Sequence, residues 1–151
     1  MPLKEISVQQ AKEFWTYLHS QAELKLQAFM AVPYGSSYKD EKRAEAETYE
    51  QLAKMFSEYF QQSIVSAEDI HSGLLEAQVA GFLDSLDEQI IELKAALERT
   101  QGKKQAALNS AQGAEYYRVK SIYKNMENLE RCHINVIEDS RKSFMNILEE
   151  G

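Results

Sequence analysis

The side chains best placed for chemistry are two Glu-x-x-His tetrads, Glu68 to His71 and Glu130 to His133. On a helix, residues i and i+3 point the same way, so a carboxylate and an imidazole at that spacing can bind one metal ion together. The sequence holds no Gly-rich phosphate loop, no GxSxG elbow and no HExxH zinc motif. The single cysteine, Cys132, excludes an internal disulfide and any CxxC site, and it reads as a small packed hydrophobe rather than a nucleophile. His19 lies beside an apolar stripe and is expected to face solvent.

The paired tetrads resemble those of ferritin-like di-iron and di-manganese bundles, where two helices each give a Glu-x-x-His and the other two each give a glutamate. The resemblance implies a four-helix bundle holding iron, manganese or zinc on Glu68, His71, Glu130 and His133, with Glu13 or Glu23 completing the set. The residues themselves favour no metal and no cofactor. Glu68 and Asp69 are accounted for by capping and the helix dipole. His133 reads as a histidine bonded to a neighbour in a seam it shares with Ser140. A turn at Gly102 would set the two imidazoles level, whereas a turn nearer residue 107 would part them by roughly 15 Å. Glu47-x-x-Glu50 with Glu68 is similar to half of the magnesium site of all-helical nucleotide pyrophosphohydrolases, without the second ExxD tetrad.

The net charge of −7 is unevenly spread: residues 67–101 carry eight acids against two bases, and 102–124 carry five bases against one acid. An antiparallel hairpin would lay Asp84, Asp87, Glu88, Glu92 and Glu98 opposite Arg118, Lys120, Lys124 and Arg131, biasing the pairing of two helices. Tyr116, Tyr117 and Tyr123 interleave with Arg118, Lys120 and Lys124. Tyrosine and arginine dominate binding hot spots, so these six residues are the candidate partner-binding surface. If Val119 and Ile122 point inward, Tyr117, Lys120 and Lys124 point out and Tyr116 and Tyr123 lie at the flanks. The overall acidity and the small number of local bases argue against nucleic acid and against a membrane surface.

These residues need long helices to position them. At 151 residues, 44% apolar and 27% charged, with six Gly and two Pro, the chain has the size of one domain and too few turn-formers for a sandwich or barrel. No apolar run approaches ~20 residues, and the start lacks a basic, then greasy, signal peptide, which predicts a cytoplasmic chain without a transmembrane segment. Ser7 and Gln10 form a capping box, and Val8, Ala11, Trp15, Leu18, Ala22, Leu26 and Phe29 continue one stripe to Pro33, predicting a helix over 8–31. Ser37 and Asp40 open a second helix over 38–65, and Ser66 and Asp69 a third over 67–100 that carries Gly73 and Gly81 inside it. Val119 through Ile147 define a fourth over 110–149.

The predicted fold is therefore all-α: a single domain, 1–151, forming an elongated antiparallel four-helix bundle or pair of hairpins with two long C-terminal helices. The second helix is expected to neighbour the first and the third. The longer helices would leave Phe144, Ile147 and Leu148 uncovered, so a homodimer is expected. The functional expectation is a non-catalytic protein-protein interaction module, whether adaptor, scaffold or small acidic chaperone-like protein, whose partner is another protein. The alternative is the metal-binding bundle.

Overall fold

The computed structural model describes residues 4–150. Its helices are α1 (Val8–Ala31), α2 (Ser37–Glu58), α3 (Glu76–Ser110) and α4 (Ala114–Glu150), with one 3-10 turn at Ala67–Asp69. The fold is all-α, a helical bundle, and among the described residues no helix is long and apolar enough to cross a membrane.

Each boundary has a local cause. The Ser7 hydroxyl accepts from the Gln10 amide, and the Gln10 side chain accepts from the Ser7 amide, so the capping box starts α1 at Val8. At the other end, Lys39 Nζ donates to the Phe29 and Val32 carbonyls and stands 4.5 Å from the Phe29 ring centroid, satisfying the open end of α1. Gly35, at φ 91°, makes the turn. The cap of α2 is Ser36, whose hydroxyl accepts from the Tyr38 amide, one residue earlier than the Ser37 box predicts.

The largest departure from the sequence reading lies between residues 59 and 75. The second helix was expected to reach 65 and the third to begin at 67, yet α2 ends at Glu58 and α3 begins at Glu76. Tyr59, Phe60 and Gln61 close i to i−3 hydrogen bonds, and Gln61 sits at φ 56°. The Ser66–Asp69 box does form: the Asp69 carboxylate accepts from the Val65 and Ser66 amides, which holds it below its usual range. It caps only the 3-10 turn. Beyond it the chain is extended because Leu74 makes an antiparallel bridge with Ile6, with bonds of 3.0 and 3.1 Å in the two directions. Gly73 lies in this bridge rather than inside a helix, and a Cβ there would run into the Ile6 carbonyl. Ile6, Ile70 and Leu74 are buried by this closure.

The third helix also outlasts its expected end at 100 and runs through Gly102 to Ser110. One glycine costs about 1 kcal/mol, and the alanine-rich run behind it carries the helix on. The turn to α4 is Ala111 to Gly113, with Gly113 at φ 59°, beyond both of the placements considered from sequence.

The helices run up, down, up, down, and α4 is the hub, packing against α1, α2 and α3. The expected close pairing of the second and third helices is not the arrangement found. α2 packs chiefly on α1 and next along α4, which points the same way, and meets α3 through side chains such as Tyr59 to Ser85 and Gln89 to Met55. One fully buried phenylalanine from each helix, Phe14, Phe56, Phe82 and Phe144, builds a single aromatic layer. All six ring pairs are edge-on, with centroids 4.8 to 6.2 Å apart, the geometry that aromatic quadrupoles favour.

Phe144, Ile147 and Leu148, expected to be uncovered, are buried. The excess length of the second hairpin emerges at the opposite end. Asn125 lies beside Tyr34, Gly35 and Ser36 of the α1–α2 turn, so the last residues of α3 and residues 114–124 of α4 project past it as a two-helix tip.

Candidate functional site

The tip carries the six residues singled out by type. Tyr117 is 73% exposed, and Arg118, Lys120 and Lys124 are exposed with it. Tyr116 and Tyr123 are half-buried toward α3, and the Tyr116 ring meets Tyr117 edge-on at 5.5 Å. Val119 is half-buried, but Ile122 is exposed rather than inward. The inward stripe of α4 is Tyr116, Val119, Tyr123, Glu127, Glu130 and Ile134, with steps of three and four that leave Ile122 on the outer side. Ile122 and Met126 therefore form an exposed apolar pair on the flank of the tip.

The charges pair differently from the expectation. Of the five acids placed opposite α4, Asp87 alone makes an ion pair among the described residues, and its partner is Arg141, at 2.6 Å. Lys94 meets Glu138 at 3.3 Å. Arg118 pairs within its own helix to Glu115. Lys104 is drawn to Glu127, a carboxylate only 6% exposed that also holds Arg131 at 3.3 Å. Lys103, Lys120 and Lys124 form no ion pair among the described residues. The tip thus keeps Lys120 and Lys124 uncommitted on the same helix as an exposed phenol, with Lys103 a further uncommitted ammonium on α3.

The two Glu-x-x-His tetrads do not come together. Glu68 lies in the 3-10 turn, 3.8 Å from Lys12 of α1, and His71 is in extended chain beyond it. Glu130 and His133 both lie on α4 but engage different helices: Glu130 accepts from the buried Thr100 hydroxyl of α3, and His133 Nδ1 meets the Thr48 hydroxyl of α2 at 3.2 Å. Phe14 with Phe56 and Lys25 with Glu45 set the α1–α2 register, which makes Thr48 level with residue 22. Glu68, tied to Lys12, lies ten residues lower, roughly 15 Å along the axis. Among the described residues no three His, Cys, Asp or Glu side chains converge on one point. Glu47 is spent on Arg43.

The remaining candidates have structural surroundings. His19 is exposed and stacks on Trp15 at 3.7 Å, and partial burial lowers its pKa against the opposing pull of Glu50. Burial first, then Glu45 and Glu41, push the Cys132 thiol up to about 11. Sequence reasoning passed over Glu127 and Thr48. The signal for Glu127 was its place on the stripe three residues before Glu130. For Thr48 it was the spacing Ala44, Thr48, Leu52, which puts a hydroxyl in an apolar row.

No family model, curated protein or solved structure matches this chain.

Proposed function

We propose that this protein is a non-catalytic helical interaction module, of the adaptor, scaffold or small acidic chaperone-like kind, that grips an acidic protein partner with the tip of its second hairpin. The observation that carries the reading is the exposure of Tyr117 beside Lys120 and Lys124, which form no ion pair among the described residues. A tyrosine offers a large, stiff contact surface, and free ammonium groups steer an acidic surface toward it. Ile122 adds apolar area on the same projection, and Met126 at its base. The body below is acidic, so partner and body repel unless the tip makes the contact. A single cysteine, with no partner in the chain for a disulfide, is in keeping with a reducing, cytoplasmic setting.

The test is affinity capture from native lysate with wild-type protein and with Tyr117→Ala/Lys120→Glu. Both positions are exposed, so circular dichroism and melting temperature stay the same. The expected result is loss of an acidic protein that wild type retains at low salt and releases at high salt. Capture identical in the two would overturn the reading.

A further inference from the structure

Because α2 and α3 each lean on α4 and not closely on each other, a cleft of about 330 Å³ opens between them. Its floor is apolar, formed by Leu52, Leu93 and Ile137. Gln89 Nε2 donates to the Met55 sulfur at 3.2 Å, bridging the two helices at the cleft. His133 and Glu92 line it as well.

The Thr48 hydroxyl has one proton, and it is donated to the Ala44 carbonyl at 2.7 Å. Toward His133 Nδ1, at 3.2 Å, Thr48 therefore accepts, which fixes the neutral imidazole as the Nδ1–H tautomer. Nε2, on a ring that lines the cleft, is left with a free lone pair. Glu92 is exposed on the rim and makes no ion pair among the described residues. Beside the neutral Gln51 and Gln89 amides and the committed Thr48 hydroxyl, the polar lining is thus a free acceptor and an anion over an apolar floor, in a chain of net charge −7. That combination repels carboxylates and phosphates and suits an organic cation.

We propose that this cleft is a binding site for a small primary amine carried on an aromatic or alkyl body. The ammonium donates to His133 Nε2 and lies against the Glu92 carboxylate. The body covers Leu52, Leu93 and Ile137, and the adaptable Met55 thioether packs against a ring edge. The volume sits at the small end of the ~300–1,000 Å³ range of ligand pockets, so the ligand is compact. The site is separate from the tip and does not depend on its role.

The probe is 2-phenylethylamine, titrated into the full chain and followed by amide NMR, with 3-phenylpropionate as the anion of matching shape. Saturable shifts confined to residues lining the cleft, with a Kd of about 1 mM or lower, are expected for the amine. The anion should bind roughly tenfold more weakly or not at all. Glu92→Gln, on an exposed position, should weaken the amine by about three- to tenfold. Gln51→Trp, which fills the mouth from the exposed side of α2, should abolish the shifts. The proposal fails if the amine's shifts do not saturate or scatter over the acidic surface. It also fails if the anion binds equally well, or if Glu92→Gln keeps full affinity.

Discussion

Gln10 Nε2 donates to the main-chain carbonyl of Ile147 at 2.8 Å, while its Oε1 accepts from the Ser7 amide at 2.7 Å. One side chain therefore begins α1 and ties it to the end of α4, 137 residues away in sequence. The two bonds can be separated by substitution. Gln10→Glu keeps the acceptor for Ser7 and removes the donor to Ile147; Gln10→Ala removes both. Gln10→Ala should cost about 1–2 kcal/mol and lower Tm by about 3–6 °C, with Gln10→Glu falling between it and wild type. Thermal melts of the three proteins check the order. Equal melting of Gln10→Glu and wild type would mean that the tie to Ile147 contributes nothing.

The same residue shows what a single sequence discloses. The Ser7–Gln10 box is local, so its type and spacing suffice to place the start of α1. The Ile147 bond, in contrast, depends on where α4 ends. Between 59 and 75 the local signals were present and misleading: Ile64, Val65 and Ile70 look like a continuing apolar pattern, but a bridge between Leu74 and the distant Ile6 decides the conformation. The site divides likewise. Tyr117 and Lys120 are legible as exposed because helix periodicity places them outward. The inward stripe was set one position off at Ile122, since the register of α4 is fixed by α3 through Thr100 and Lys104. The Thr48 partner of His133 lies 85 residues away, and no spacing reveals it.

Two glycines should respond with opposite signs. At Gly73 a Cβ would collide with the Ile6 carbonyl, so Gly73→Ala must open the bridge, expose Ile6 and Leu74, and cost about 2 kcal/mol or more. At Gly102, inside α3, a Cβ meets nothing within 4 Å, and Gly102→Ala should stabilise by about 0.5–1 kcal/mol. Urea unfolding of both variants checks the pair. A destabilising Gly102→Ala would place a turn at residue 102 and shorten α3.

Cys132 should be sluggish toward alkylation. Its thiol is pushed up to about 11, first by burial and then by Glu45 and Glu41, so little thiolate exists at neutral pH. A raised thiol pKa means that the folded chain holds the proton more tightly than the unfolded one. The associated stability is complete below the unfolded value of ~8.5 and is lost as pH rises toward 11. Iodoacetamide at pH 8 should modify native protein much more slowly than a free thiol, with a jump in rate in urea. Native reactivity equal to that in urea would show that the thiol is not shielded.

Glu127 is the one buried charged side chain among the described residues, 6% exposed and lying between α3 and α4 where the hairpin leaves the body to become the tip. Lys104 Nζ is 3.0 Å from its Oε1, an ion pair without the alignment of a hydrogen bond, and Arg131 holds Oε2 at 3.3 Å. Removing Lys104 alone leaves the buried carboxylate short of countercharge, whereas removing both partners removes the need for one. Lys104→Met should therefore destabilise by about 1–3 kcal/mol. Lys104→Met/Glu127→Leu should recover most of that loss, since an apolar pair of similar volume suits a helix seam. A double-mutant cycle by chemical denaturation measures the coupling. If the double variant is as unstable as Lys104→Met, or the single change costs nothing, Lys104 and Glu127 are not the joint that holds the tip in register.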